Sequence, residues 1–101
     1  MKLELWNYMT SRGIDLTNSG SAERGYSQTD VLEFLELLRA QNFQPLGFEV
    51  WHRRDDGTFK MDSLAGWIPT TSQDIDTLFA ETTAAIKSTK TNERTIFTLQ
   101  F

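Results

Sequence analysis

The stretch Pro45-Leu46-Gly47-Phe48-Glu49-Val50-Trp51, followed by Asp56-Gly57-Thr58-Phe59-Lys60-Met61-Asp62 and then by Trp67, decides the fold of this chain. Apolar residues recur at every second position on both sides of Asp56-Gly57, the pattern of two half-buried strands joined by a tight turn. A two-residue turn at Asp56-Gly57 would be of type I′, with positive φ at both positions. That turn pairs Arg54 with Phe59, Arg53 with Lys60, His52 with Met61 and Trp51 with Asp62. One face then carries Phe48, Val50, His52, Phe59 and Met61, and the other carries Glu49, Trp51, Arg53, Lys60 and Asp62. A shift by one residue would mix apolar and charged side chains on both faces, which argues for this register. Its weak point is Arg53 opposite Lys60.

The flanks supply helices. Leu3 to Arg12 reads as a short helix with Leu5, Trp6 and Met9 inward, ended by Gly13 in a left-handed C′ position. Residues 17–26 are loop by composition. Ser27 is an N-cap with Asp30 at N3, and Val31, Phe34, Leu35 and Leu38 form the inner stripe of a central helix. Pro45 stops that helix by about Asn42. Pro69 and Thr70-Thr71-Ser72 introduce a last helix whose inner face is Ile75, Leu78, Phe79, Thr82 and Ile86. Thr95, Phe97, Leu99 and Phe101 alternate with Ile96, Thr98 and Gln100 as in a half-buried strand. The expected fold is α+β in the order ααββαβ: a small, mainly antiparallel sheet of the hairpin plus the C-terminal strand, with about three helices on one face.

The 101 residues form one domain, 1–101, with 39% hydrophobic and 12% aromatic content and no cysteine. This excludes a disulfide framework and a thiolate metal site and fits a reducing, cytoplasmic setting. No run approaches a membrane span, so no membrane partner is expected. The net charge of −4 argues against nucleic acid as the main partner. From Asp55 to Glu81 the chain has six acids (Asp55, Asp56, Asp62, Asp74, Asp76, Glu81) against one base, Lys60. These form either a solvated surface or an acidic face that attracts a basic partner.

No catalytic constellation stands out. His52 is the only histidine, so no histidine pair can bind a metal, and it reads as a half-buried, hydrogen-bonded side chain. Asp55, Asp56 and Asp62 do not follow a calcium-loop spacing. No metal, cofactor or catalytic residue is assigned. Trp51-His52-Arg53-Arg54 could touch a nucleic acid by stacking and charge, and acids near His52 could serve a small hydrolase. Trp51 is the residue singled out. On an uncovered sheet face it would be an interface anchor; under a covering segment it would be core. The open edge of the last strand could support a homodimer.

Gly13-Ile14-Asp15-Leu16, Tyr26-Ser27-Gln28-Thr29-Asp30-Val31-Leu32 with Leu35 and Leu38, then Pro45-Leu46-Gly47, Glu49-Val50-Trp51, Gly57 and Trp67, resemble the immunity protein 40 family of bacterial polymorphic toxin systems. The resemblance covers roughly residues 13–67. It implies a protein that binds and neutralises a cognate toxin domain. Gly47, Glu49, Val50 and Trp67 are the matching positions; Gly47 and Val50 look structural, and Glu49 and Trp67 fit either role. Together with the acids, the expected partner-binding set is Glu49, Trp51, Asp55, Asp56, Asp62, Trp67, Asp74 and Asp76.

Overall fold

The computed structural model describes residues 3–69 and 74–101. The chain is α+β. Helix α1 (Leu3–Arg12) leads to a two-residue strand β1 (Ile14–Asp15), a 3-10 turn at Thr17–Ser19 and a second short strand β2 (Arg24–Gly25). Helix α2 (Gln28–Ala40), strands β3 (Gly47–Arg53) and β4 (Phe59–Trp67), helix α3 (Ile75–Ser88) and strand β5 (Thr95–Gln100) complete it. The main sheet is antiparallel in the order β4-β3-β5, and β1 pairs with β2 in a separate ribbon. Strand β2 lies within residues 17–26, which composition assigns to loop, and β1 lies just before them. Thr70, Thr71 and Ser72 lie outside the described residues.

The central helix forms as its sequence dictates. The Ser27 hydroxyl accepts the Asp30 N–H at 3.1 Å, satisfying one orphan donor of the first turn. Val31, Phe34, Leu35 and Leu38 are its buried residues. It ends with Asn42 at φ 63. The Phe43 N–H reaches back to the Leu38 carbonyl at 2.9 Å and the Asn42 N–H to Arg39 at 3.1 Å, a Schellman closure that turns the chain towards Pro45. The α1 terminus differs from expectation. Gly13 is not among the positive-φ glycines; instead, a Cβ there would collide with the Met9 carbonyl, so the requirement is space.

The three helices cover one sheet face. Phe48, Val50, Phe97 and Leu99 of β3 and β5 meet Leu5 of α1, the α2 stripe, and Phe79 and Ile86 of α3 in one buried cluster. Tyr8 joins it where Trp6 was expected: its ring stacks on Phe34 at 5.5 Å between centroids, and its hydroxyl donates to the Asp30 carbonyl at 2.9 Å. Trp6 is 55% exposed. At ten residues of helix, Leu5, Tyr8 and Met9 define the inner stripe, and Trp6 falls outside it. Ile75, expected inward, is exposed at the first position of α3.

The hairpin closes one residue away from the expected register. Arg53 pairs with Phe59, His52 with Lys60, Trp51 with Met61 and Val50 with Asp62. Among the central turn residues only Gly57 has positive φ, at +87. Its N–H bonds the Arg54 carbonyl at 3.0 Å, and the Arg54 N–H bonds the Thr58 carbonyl at 2.7 Å. This is a three-residue loop, a type I turn followed by a left-handed glycine. Asp56 holds it by accepting both the Thr58 N–H at 2.9 Å and the Thr58 hydroxyl at 2.7 Å. The shift removes the Arg53–Lys60 juxtaposition and moves Phe59 and Met61 to the Trp51 face.

The Ser27 cap supplies a direct check. Ser27→Ala should lower unfolding free energy by about 1 kcal/mol. A urea titration should show an earlier midpoint with an unchanged slope.

Candidate functional site: a groove beside an open strand edge

Trp51 is not on an open face. It is 8% exposed and packs with Leu16, Ile96 and Phe59 in a second cluster on the sheet face away from the helices. The chain from β1 to β2 crosses that face. Leu16 is fully buried, and Gly25 lies against Ile96 so closely that a Cβ would collide with it. The indole N–H donates to the Thr98 hydroxyl at 3.2 Å, which donates in turn to Glu49 Oε1 at 3.2 Å. Trp51 therefore leaves the partner-binding set, and the stacking patch Trp51-His52-Arg53-Arg54 loses its aromatic.

The acids do not make one face. Asp55 pairs with Arg94 at 2.8 Å, and Asp56 is consumed by the turn. Both sit at the hairpin tip beside Arg53, Arg54 and Lys60. Asp74 caps α3, accepting the Thr77 N–H at 3.0 Å and the Thr77 hydroxyl at 2.7 Å. Asp76 pairs with Arg39, whose guanidinium lies over the Phe79 ring at 5.5 Å. The chain leaves β4 at Trp67, opposite Phe48, and re-enters at Thr95, opposite His52. Asp74 and Asp76 sit at the N-terminus of α3, where Asp76 meets Arg39 of α2, whereas Asp55 and Asp56 sit at the hairpin tip, where Asp55 meets Arg94 before β5.

Three of the expected residues do converge. Glu49, Asp62 and Trp67 line a groove of about 700 Å³ with Leu46, Met61 and Ile68. The groove originates in a sheet irregularity. Between Phe48 and Val50 β3 advances two residues, while β4 advances from Trp67 to Asp62. Asp62 Oδ1 takes up the freed Leu64 N–H at 3.0 Å, and Leu64 stands 96% exposed. Gly47, at φ +139, brings its backbone against the Trp67 carbonyl, where a Cβ would clash. Trp67 stacks on Phe48 with centroids 5.8 Å apart and packs against the helix-side core. Leu46 and Ile68 at the rim are 58% and 74% exposed.

The groove's charged residues are both acidic. Glu49 is held by Thr98 and by Gln100 Nε2 at 3.4 Å. The Asp62 carboxyl is held below the usual range, first by the Leu64 N–H and then by its bond to His52. Among the described residues no Lys or Arg lines the groove. Leu46, Met61, Leu64 and Ile68 escaped sequence reasoning: alternation assigns Met61 to the core face, and nothing in the local pattern signals the irregularity.

His52 has an arrangement worth testing against hydrolysis. Its Nε2 lies 3.2 Å from Asp62 Oδ2 and its Nδ1 3.5 Å from the Thr95 hydroxyl. Thr95 is buried, and its hydroxyl already accepts the Asn92 N–H at 3.0 Å. A nucleophile must reach a reacting carbon, and this hydroxyl is closed off from one. Among the described residues no three His, Asp or Glu side chains converge as a metal site requires, and no helix is long and apolar enough to cross a membrane. Compared with protein-family models, curated proteins and solved structures, the chain matches none.

Two outcomes follow from this geometry. Trp51→Ala should cost roughly 3–5 kcal/mol of stability, the range for emptying a buried aromatic site, as a lower urea midpoint. The Asp62 carboxyl has a folded pKa below its unfolded one, so the unfolded chain binds the proton more tightly. Its stabilisation is complete above the unfolded value, about 3.9, and is lost as pH falls through the folded value. Melting temperatures taken from neutral pH down to about pH 2 should fall more shallowly in Asp62→Asn than in the native chain.

Proposed function

We propose that this protein acts by binding: it docks another protein on the groove beside β4 and, as the immunity proteins it resembles do, neutralises a toxin domain. The observation that supports this is the groove itself. Its lining holds exposed apolar side chains, Leu46 and Ile68, together with Trp67, which is held by its stack on Phe48. Contiguous exposed apolar surface with a polar border is the usual mark of a docking site. Trp67 replaces Trp51 as the aromatic anchor. Glu49 and Asp62 supply charge that favours a basic partner surface and speeds its approach.

The role as a neutraliser of a toxin, the cytoplasmic setting and action without catalysis rest on the sequence resemblance and on this surface. The test is co-expression with the product of the neighbouring upstream reading frame, scoring growth and co-purification. Growth rescue with a stable complex is the expected result. Ile68→Glu together with Leu46→Glu should weaken that complex by at least about tenfold, about 1.4 kcal/mol, with an unchanged melting temperature, because both side chains are already in solvent. A harmless neighbour that does not co-purify would remove the toxin reading. Intact binding by the double variant would remove the groove from it.

A further inference from the structure

We infer that the groove takes an extended, basic segment of the partner as an added strand on the free edge of β4. This rests on the docking reading above and names how the docking occurs. In the order β4-β3-β5, both outer strands have an unpaired side. On β5 that side is occupied: Tyr26 and Phe97 exchange backbone bonds at 2.8 and 2.7 Å. A homodimer through the last strand, as the sequence suggested, finds that edge occupied there. Among the described residues the open edge is β4.

The backbone parity of β4 can be followed residue by residue. The Thr58 carbonyl faces β3, where it accepts the Arg54 N–H. Ladder groups alternate sides along a strand, so Lys60 and Asp62 face β3 while Phe59 and Met61 face outward. Phe59 confirms the parity, because its N–H leaves the sheet to meet the Ser19 hydroxyl at 2.8 Å. The outward groups of Met61 meet no partner among the described residues. Met61 also lines the groove. One residue thus offers a main-chain pairing site and a wall of the adjoining apolar hollow, the two elements that strand addition combines.

Features of the edge select the occupant. Towards the hairpin tip, β4 is protected against pairing by the Ser19 cap and by Lys60, a common guard of exposed edges. A second copy laid antiparallel with its Met61 opposite this one would place its Ser63 against the capped Phe59. The accessible length therefore runs from Met61 towards Trp67. There the acids lie on the two sides of the sheet: Glu49 on the face of Trp51 and Met61, and Asp62 on the face of Val50, bonded to His52, with no cation among the described lining residues. A segment that alternates apolar residues with Lys or Arg brings its basic side chains to Glu49 and turns its apolar ones to the Trp67 side. Proline would break its ladder.

The test uses random displayed peptides of roughly ten residues, the upper range of strand lengths, selected on the native protein. Enriched peptides should be rich in Lys or Arg, alternate with apolar residues and lack proline. With such a peptide bound, amide exchange at Met61 should slow by about tenfold or more, while Phe59 changes little. Glu49→Gln should weaken the peptide several-fold and flatten its salt dependence. Met61→Pro, which deletes the outward donor together with a groove-lining side chain, should abolish binding, whereas Met61→Leu, which keeps the donor, should retain it; if the proline variant fails to fold, the amide exchange of the native chain decides. Enrichment of acidic or proline-rich peptides, no enrichment, or an unprotected Met61 amide would overturn the inference. So would protection of Met61 that grows with protein concentration without peptide, which would assign the edge to a second copy. The two readings fail separately: a stable toxin complex with Met61 unprotected removes strand addition alone, whereas selected peptides without growth rescue remove the toxin alone.

Discussion

The structure depends on β3 being buried on both faces. Phe48 and Val50 are 2% and 1% exposed on the helix side, and Trp51 is 8% exposed on the other. A strand that is apolar on both sides must be central and must be covered twice. The helices provide one cover. The other is the segment from Ile14 to Gly25, which has little regular structure but carries Leu16 over the indole and Gly25 against Ile96. The polar end of Trp51 is satisfied through Thr98 and Glu49, so the indole is buried at no cost of an orphaned donor. That chain of bonds ends in the groove, where Glu49 is one wall. Core packing and site geometry are linked through a single side chain.

Much of this was legible in the sequence because helices announce themselves locally. The Ser27 cap, the α2 stripe, the α3 inner face from Leu78 to Ile86 and the alternation of the last strand all emerge as read. The hairpin was legible in position but not in register. The choice of a two-residue turn rested on the premise that only one sheet face is apolar. With two apolar faces, the alternation of Phe59 and Met61 fits either register, and the hydrophobic pattern no longer decides. The turn decides instead: Asp56 satisfies Thr58 twice from an ordinary backbone conformation, leaving positive φ to Gly57 alone.

The groove was invisible for a related reason. Alternation describes regular pairing, and the groove exists where pairing is irregular. Ser63-Leu64-Ala65-Gly66 carry little that signals a strand, yet they extend β4 past Asp62 to bring Trp67 opposite Phe48. Asp62 makes this tolerable by accepting a backbone N–H that has lost its ladder partner. Irregular edges of this kind discourage indiscriminate pairing while leaving a shaped hollow. The protection and the recognition surface arise from the same departure from regularity.

The charge run is the sharper lesson. Counted along the chain, the acids from Asp55 to Asp76 suggest one electronegative face. In space each is matched to a local need: a turn at Asp56, a helix cap at Asp74, ion pairs at Asp55 and Asp76. Arg94 and Arg39, which lie outside the counted stretch, neutralise two of them. Asp62 too is matched locally, by the Leu64 N–H and by His52, and Glu49, which the acidic run does not include, by Thr98 and Gln100; these two differ from the others in lining the groove. Two carboxylates that line an apolar groove lie closer to a docked group than several dispersed over the surface. Their contribution to recognition therefore comes from placement next to apolar contacts rather than from number. Under the docking proposed above, specificity would reside in the irregular edge and its two acids, and the net charge of the chain would be a poor guide to it.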